Sequence, residues 1–404
     1  MTGSDRPSLL YVVPGHDFLP SAGPTRNVVN QVRAMSRWAD VTLAFRRIVQ
    51  PPAPGDPTVI EIEPGSGTVG VGVDDAATRG MSHRRFARYL AALRRMLAAR
   101  LPETDLVLEK DWMLTGYVAR EARRAGVPAI PVKNWVAHRP KPGLLKLLQQ
   151  QAAVRLEGRL LRGAPCIVAE TEYLKKAMVA RWQLDPERIE VIGLGVDRER
   201  FRPGDQAGAR AALGIAPEVT VLLYAGVLDQ THDLKPLLLA LAQAGNPALQ
   251  LHVIGDGARR AEYQSEVRGG IDSVIFHGRV SHDQVPCYLA AADLCVAPYD
   301  PAAFAGGEVG YSTLKVREYL SAGRAVASVD SGSLRTLIRP GVSGFLLANT
   351  VAGWSELLRT LPSRDRLRIM GQAAAETGLE SWDDVSRAFE RVCARQLAAL
   401  AREG

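Results

Sequence analysis

The chain has 404 residues, of which 47% are hydrophobic and 23% are charged, and its formal net charge is +7. A single core stops growing at roughly 250 to 300 residues, so this length predicts two domains. The composition excludes a disordered or fibrous protein, and the four cysteines lack the spacing of a disulfide framework or a zinc site. The basic balance favours anionic partners, but the arginines are spread along the chain as on a solvated surface, and we expect no nucleic-acid partner.

The first apolar run, 9–13, ends at Pro14 and is too short for a signal peptide or a membrane span. With the scattered cysteines, this predicts a cytoplasmic protein. Two basic amphipathic segments, 82–101 and 141–163, carry apolar residues on one face and arginines elsewhere. We read them as core helices with a solvated face, and peripheral contact with an anionic membrane stays open as the alternative.

Strand-like and helical segments alternate along the first half, which predicts a parallel sheet joined by crossover helices. An amphipathic helix is expected over 25–38, and the Pro- and Gly-rich stretch 48–80 reads as a loop with at most one strand. The predicted strands are 8–13, 41–45, 58–62, 105–109, 128–132, 166–170 and 188–193.

A charged stretch with Pro and Gly, 195–206, reads as a linker to a second series of the same kind, and a last helix is predicted over 382–402. The pattern predicts an α/β protein of two Rossmann-like, doubly wound lobes that face across a cleft, where such sheets bind ligands. We expect the first domain over 1–200, joined by the C-terminal helix 382–404, and the second over 201–381. The predicted strands are 219–226, 249–257, 274–278, 293–299, 324–329 and 344–348.

The order of elements in the second lobe is specific. YAGVLDQTHDLKPLLLAL and LHVIGDGARRAEY are each a strand, a glycine turn and a helix, and FHGRVSHDQVPCYLAAADLCVAPY and GYSTLKVREYLSAGRAVASV follow them. This succession resembles the carboxyl lobe of the GT-B glycosyltransferases, most closely family 4, over nearly all of 218–350. The resemblance implies transfer of a sugar from a nucleoside-diphosphate sugar to a hydroxyl acceptor with retention, and no cofactor. The chain contains no Asp-x-Asp, which argues against a metal-bridged diphosphate.

Glu318 is the lone acid in the helix of the last of these segments. The resemblance implies that it accepts hydrogen bonds from both ribose hydroxyls of the donor, a task that suits an acceptor-only carboxylate. The alternative is a surface glutamate that pairs with Lys315 or Arg317. The turn before it leads into a helix N-terminus, which favours a diphosphate, and a helix cap is the alternative for its hydroxyls. The implied diphosphate residues are Gly310, Tyr311, Ser312, Thr313, Leu314 and Lys315.

Two departures from the family pattern affect this lobe. Gly310 stands where many members have the first acid of a Glu-x7-Glu pair, as in a subgroup that lacks it, and Glu308 is out of register by two. After the glycine turn at Gly226, Val227 replaces the arginine that usually clamps the diphosphate. His232 or Lys235 would replace the missing donor, and a surface loop histidine is the alternative for the first of these.

The remaining site residues follow from the same resemblance. Backbone groups of Arg279 and Val280 are expected to read the nucleobase, and Ala22 and Gly23 to let backbone approach the diphosphate, or simply to form a tight turn. The catalytic candidates, at the ends of neighbouring strands, are Glu109, Asn134 and His138, together with His232.

Asn134 stands where most relatives have histidine, so it keeps hydrogen bonding but loses proton chemistry. Two other functions stay open: a non-catalytic sugar-nucleotide-binding protein, which the missing arginine suggests, and a nucleotide-sugar epimerase. The bias toward Ala, Arg and Gly is typical of a high-GC bacterium, in which such enzymes build glycans, glycolipids or secondary metabolites.

Overall fold

The computed structural model describes residues 6–20, 22–63, 82–135, 143–267, 273–304 and 306–403. The chain divides into two compact units. The first extends to Gly195 and takes up the chain again at Trp382, and the second is Val196–Ser381. Each unit contains a parallel sheet with helices between its strands, which confirms the predicted class of two doubly wound α/β lobes.

The described part of the first unit contains one parallel sheet in the order β3-β2-β1-β4-β5-β6-β7. Strands such as SLLYVV are almost wholly buried, as expected where helices cover both faces of a sheet. The strands are β1 (Ser8–Val13), β2 (Asp40–Phe45), β3 (Thr58–Glu61), β4 (Leu106–Lys110), β5 (Ala129–Lys133), β6 (Ile167–Ala169) and β7 (Ile189–Val191).

Most helices of the first unit bury apolar side chains against this sheet, whereas the helix Leu144–Arg162 leaves Leu148 52% and Leu156 40% exposed. The helices of this unit are α1 (Gly23–Met35), α2 (His83–Arg100), α3 (Tyr117–Arg124), α4 (Leu144–Arg162), α5 (Glu172–Trp182) and α14 (Trp382–Glu403). The last of these supplies Val385, Phe389 and Val392 to the core that also holds Leu9 and Val32.

The basic helix α2 places Leu93 and Leu97 in the core of its own unit, with at most 1% of either residue exposed. Its apolar face is therefore occupied by packing, as expected of a core helix with a solvated basic face. No helix in the described ranges is long and apolar enough to cross a bilayer.

The second unit contains a parallel sheet in the order β10-β9-β8-β11-β12-β13 within its described residues. The predicted strand 249–257 ends at Ile254, because Gly255 turns the chain with a φ of +127°. The strands are β8 (Thr220–Ala225), β9 (Leu249–Ile254), β10 (Val274–Gly278), β11 (Leu294–Ala297), β12 (Ala325–Val329) and β13 (Gly344–Leu347).

The helices of the second unit cover both faces of its sheet, and Leu237 and Trp354 are fully buried against it. They are α6 (Gln206–Leu213), α7 (Lys235–Ala244), α8 (Arg260–Val267), α9 (Val285–Ala291), α10 (Leu314–Ser321), α11 (Leu334–Leu337), α12 (Val351–Arg359) and α13 (Arg364–Ala375). The strand order reverses between β8 and β11, so the loops after these two strands diverge.

Candidate functional site

The loops at this reversal point begin with a close contact between two glycine turns. A Cβ on Gly255 would lie 1.8 Å from the carbonyl oxygen of Gly226, and a Cβ on Gly226 would lie 2.5 Å from Nζ of Lys315. The first distance requires glycine at 255, because the clash is with backbone. The predicted Gly226 has a φ of +155°, and the atom that its Cβ would meet is the end of a flexible side chain.

Lys315 occupies the first turn of α10 and places its ammonium group among aromatic rings. Nζ donates to Oη of Tyr224 at 3.1 Å, and it lies 4.6 Å from the centre of that ring and 5.6 Å from the centre of the Tyr299 ring. Burial lowers the pKa of Lys315 to about 7, against the opposing fields of Asp229 and Glu318. Within the described ranges no carboxylate lies within ion-pair distance of this group, so its close contacts are the two rings and the Tyr224 hydroxyl.

His232 lies next to this lysine, in the loop after β8, and is only 7% exposed. Its Nδ1 donates to Oδ1 of Asp229 at 2.8 Å, since a carboxylate can only accept. Burial and the charge of Lys315 lower the pKa of His232 to about 4, despite Asp229. At neutral pH its Nε2 thus carries no proton and can only accept a hydrogen bond, and no described residue donates one to it. In this form His232 can accept from a hydroxyl, and the role that was predicted for it at a diphosphate stays a prediction.

The turn before α10 brings buried backbone to the start of the helix. Ser312 and Thr313 are 3% and 1% exposed. Thr313 occupies the N-cap position but makes no side-chain capping hydrogen bond, and Oγ of Ser312 accepts from Nε of Arg317 at 3.1 Å. The hydroxyls that could have capped the helix therefore leave its first N–H groups available, as an anion site requires.

The other residues predicted for this turn lie at its two ends. Gly310 is buried, Leu314 is the first residue of the helix, and the carbonyl oxygen of Tyr311 accepts from Oγ of Ser333 at 2.6 Å. Glu308 is engaged elsewhere: it accepts from Oγ of Ser331 at 2.7 Å and from the Gly332 N–H at 2.5 Å. It is therefore an anchor of the turn and has no free oxygen pair for a sugar.

Glu318 lies one turn after Lys315 on the same side of α10. Its side chain is 14% exposed, and no described residue donates a hydrogen bond to its carboxylate. Its nearest charged or polar partner is Nε2 of His282, 3.8 Å from Oε1. The alternative of a surface ion pair with Arg317 does not hold, because the Arg317 guanidinium lies 4.0 Å from Glu380 and 3.1 Å from Ser312. Glu318 is a half-buried carboxylate with acceptor capacity to spare.

Arg279 and Val280 follow β10, where Gly278 turns the chain with a φ of +74°. The Arg279 side chain is 66% exposed and reaches toward Asp256 at 3.8 Å. No described residue hydrogen-bonds to the backbone N–H or C=O of either residue, so both keep groups that could pair with a base edge.

Lys235 does not join this group. Its Nζ lies 2.6 Å from Oε1 of Glu266 on α8, and its side chain is 44% exposed. Its charge is already paired with Glu266, which does not favour the predicted diphosphate role, and that role stays a prediction.

Glu109 is the clearest departure from the predicted catalytic set. It is 0% exposed, and its carboxylate accepts from Nε1 of Trp112 at 2.7 Å and from the N–H groups of Gly116 and Ala119, both at 2.9 Å. Burial raises its pKa to about 7, although these hydrogen bonds act against that shift. The residue caps the start of α3 and cannot reach a substrate, so it is a structural group.

The other residues predicted for the site in the first unit belong to different elements. Ala22 is the N-cap of α1, and a Cβ on Gly23 would meet nothing within 4 Å, so packing does not require a glycine there. The Asn134 N–H donates to Oδ2 of Asp111 at 3.3 Å, and its side chain is partly exposed after β5. His138 lies outside the described residues.

A buried ionic cluster at the ends of β4, β5 and β6 was not predicted. Lys110 pairs with Glu170 at 2.6 Å, and Lys133 pairs with Glu157 at 2.7 Å and also with Asp111. The signal available was a lysine at the last position of two apolar strands, LVLEK and AIPVK. In the second unit, Tyr224 of LLYAG and Tyr299 of APYD, whose rings surround Lys315, were not predicted either.

Comparison with known proteins assigns a family to both units. A model described as "Glycosyl transferase 4-like domain" matches residues 22–195, and one described as "Glycosyl transferases group 1" matches residues 219–363. The chain is 29% identical to a D-inositol 3-phosphate glycosyltransferase of Nocardioides sp. over 327 residues, which are 75% of this chain and 69% of that protein. A protein of the same name from Geodermatophilus obscurus is 29% identical over 392 residues, 90% of this chain and 83% of its own.

Solved structures with the same fold are more distant in sequence. Sucrose-phosphate synthase from Thermosynechococcus elongatus has a TM-score of 0.77 at 19% identity and covers 98% of this chain and 100% of its own. HepE of Anabaena, solved with UDP-glucose, has a TM-score of 0.72 at 16% identity, covering 96% and 100%. The fold and both matched domains define a glycosyltransferase of the GT-B type. The chain belongs to family 4 of these enzymes, as its sequence predicted.

Proposed function

We propose that this glycosyltransferase takes its sugar from a nucleoside-diphosphate sugar and that the second unit binds the nucleotide. The observation that carries the proposal is the Lys315 ammonium, held without a carboxylate partner beside the uncapped start of α10. A half-buried cation without a counter-ion is costly, and an anion at this place would compensate it. The diphosphate of a donor has the right charge and would meet both Lys315 and the helix N–H groups.

The nucleoside would extend from the diphosphate toward Glu318. A carboxylate with no donor of its own can receive both hydroxyls of a ribose, which an amide would do less well. Beyond the ribose, the free backbone groups at Arg279 and Val280 suit the edge of a base. The Anabaena structure holds UDP-glucose, which makes UDP the first probe for this chain.

For the transfer itself we propose retention at the anomeric carbon, by analogy with the retaining enzymes of this family. Lys315 and the α10 N-terminus would stabilise the charge that develops on the departing diphosphate, without a metal ion. Nε2 of His232 would accept a hydrogen bond from a hydroxyl group, either of the transferred sugar or of the molecule that receives it. Asn134, which follows β5, would lie toward the acceptor.

The test is a panel of nucleoside diphosphates and their sugars. We expect one of UDP, GDP, TDP and ADP to raise the melting temperature, and the matching sugar nucleotide to be hydrolysed slowly when no acceptor is present. Since two relatives are named for D-inositol 3-phosphate, that compound heads the acceptor panel, followed by glycan and lipid-linked hydroxyls. Tight binding without turnover with any acceptor would favour the non-catalytic binder, and a donor recovered with an inverted sugar carbon would favour the epimerase.

The pKa of Lys315 predicts that nucleotide binding takes up a proton. This pKa is about 7 in the free protein, and an adjacent diphosphate would raise it. The charge contribution is therefore complete below pH 7 and is lost as pH rises toward the pKa of the complex. We expect the affinity for UDP to fall about tenfold between pH 7 and 8.5, measured by calorimetry above the titration of the terminal phosphate near pH 6.

The matched variants are Lys315→Met and Lys235→Met, which remove a charge inside and outside the proposed site. The first should bind weakly with little pH dependence, and the second should keep the wild-type profile because Lys235 is paired with Glu266. A flat wild-type profile, or the same slope in Lys315→Met, would show that this lysine does not meet the diphosphate.

A further inference from the structure

His282 lies against Glu318, in the turn between β10 and α9. Its ring packs edge-on against Phe201, with centres 5.4 Å apart at 74°. Its Nε2 is buried, lies 3.8 Å from Oε1 of Glu318 and has no hydrogen-bond partner among the described residues. This separation is too long for a hydrogen bond and short enough for strong electrostatic attraction.

The other side of the ring fixes where its proton is. The guanidinium of Arg200 makes a hydrogen bond to Nδ1 of His282, and arginine can only donate. Nδ1 must therefore accept, so the single ring proton is on Nε2 and faces the carboxylate of Glu318. Arg200 is itself oriented by Asp283, 2.9 Å away, and by a turn in which its N–H donates to Asp197 at 3.0 Å.

The segment that supplies Arg200 is attached to the helix that carries Glu318. The carbonyl oxygen of Phe201 accepts from Oγ of Ser321 at 2.6 Å, and Phe201 is 1% exposed. His282 thus lies between Arg200 on one side and Glu318 on the other. The segment that carries Arg200 is in turn hydrogen-bonded to α10, which carries Glu318. The ring has little freedom to move away from the carboxylate.

We propose that His282 is a positioning residue for the nucleoside anchor. Its Nε2–H attracts Oε1 of Glu318 and restrains the rotation of the carboxylate, which leaves the acceptor sites of that group directed at a ribose diol. Arg200 acts one step further away, by fixing the tautomer. This inference rests on the proposed function, in which Glu318 receives the ribose.

A positioning role of His282 can be told apart from a packing role, because it should affect only ligands that carry ribose hydroxyls. The experiment compares UDP with 2′,3′-dideoxyuridine diphosphate by calorimetry on the wild-type protein and on His282→Leu, His282→Gln and Glu318→Ala. We expect His282→Leu to bind UDP about 5- to 10-fold more weakly than the wild type does. Its affinity for the dideoxy compound should stay within about twofold of the wild-type value. His282→Gln should restore most of the UDP affinity, because its amide keeps a donor at a similar reach. Adding His282→Leu to Glu318→Ala should cause no further loss.

Two outcomes would overturn the inference alone: an equal loss for both ligands in His282→Leu, which indicates a packing role, or no loss for either ligand. A Glu318→Ala variant that binds UDP like the wild type would instead overturn the proposed function. Histidine-selective ¹⁵N spectra give a second measurement that does not depend on binding. The signal that disappears in His282→Gln should show protonation at Nε2, and Arg200→Met should shift it toward a tautomer mixture; a ring protonated at Nδ1 in the wild type contradicts the series.

Discussion

Replacing Glu318 with alanine is expected to weaken the binding of the donor nucleotide about 30- to 900-fold, or about 2 to 4 kcal/mol. The physical reason is that the substitution removes the acceptor of two hydroxyls and leaves them unpaired in a site that is largely closed to water. The measurement is calorimetry with the nucleoside diphosphate that the panel identifies, at constant pH and salt.

The matched control is Glu356→Ala, in the same unit, where the carboxylate is 62% exposed and pairs only with Arg359 on its own helix. It should bind the nucleotide normally. Glu318→Gln should fall between the two, since an amide oxygen accepts but carries no charge. An affinity unchanged in Glu318→Ala, with a wild-type melting curve, would show that Glu318 does not receive the ribose.

Replacing Lys133 with methionine is expected to lower the free energy of unfolding by about 3 to 5 kcal/mol, the usual cost of removing one partner from a buried ion pair. Lys133 is 2% exposed and is the cation that Asp111 and Glu157 share. Burial already raises the pKa of Glu157 to about 7 although Lys133 acts against that shift, so loss of the lysine would raise it further. Urea unfolding monitored by tryptophan fluorescence gives the difference.

This loss should also depend on pH. In the variant the folded state would hold a proton on Glu157 to a higher pH than the wild type does, while the unfolded state releases it. Stability would therefore decrease as pH rises, and the defect should be larger at pH 8 than at pH 5.5. Lys176→Met, at an exposed position of α5, is the control and should change stability by less than about 0.5 kcal/mol. A Lys133 variant as stable as this control would mean that the cluster is solvated or that its charges are not essential to the fold.

The alternation of apolar runs and helical stretches was sufficient to predict the fold, because a parallel strand buried on both faces must be apolar along its length. Errors were confined to element ends. The strand expected over 293–299 is Leu294–Ala297, and the loop beyond it turns to place Tyr299 over Lys315. End positions depend on turns and on contacts from other elements, which a local pattern does not contain.

The candidate site was predictable where its residues share one short segment. Lys315 and Glu318 are three apart on one helix, and their common side follows from helix geometry. The surroundings of Lys235 and Glu109 could not be predicted, because their partners are set by the fold. Glu266 comes from the next helix, and the N–H groups that donate to Glu109 belong to the start of α3. A sequence gives the charge of a side chain, but it does not give the residue with which that charge pairs in the fold.

The helix α14 has a consequence for how the protein is made. Val385, Phe389 and Val392 complete the core of the first unit, yet the ribosome must synthesise all of Val196–Ser381 before it reaches them. The core of the first unit therefore stays incomplete, and the apolar surface that α14 covers beside α1 stays exposed, until the whole second unit has been synthesised.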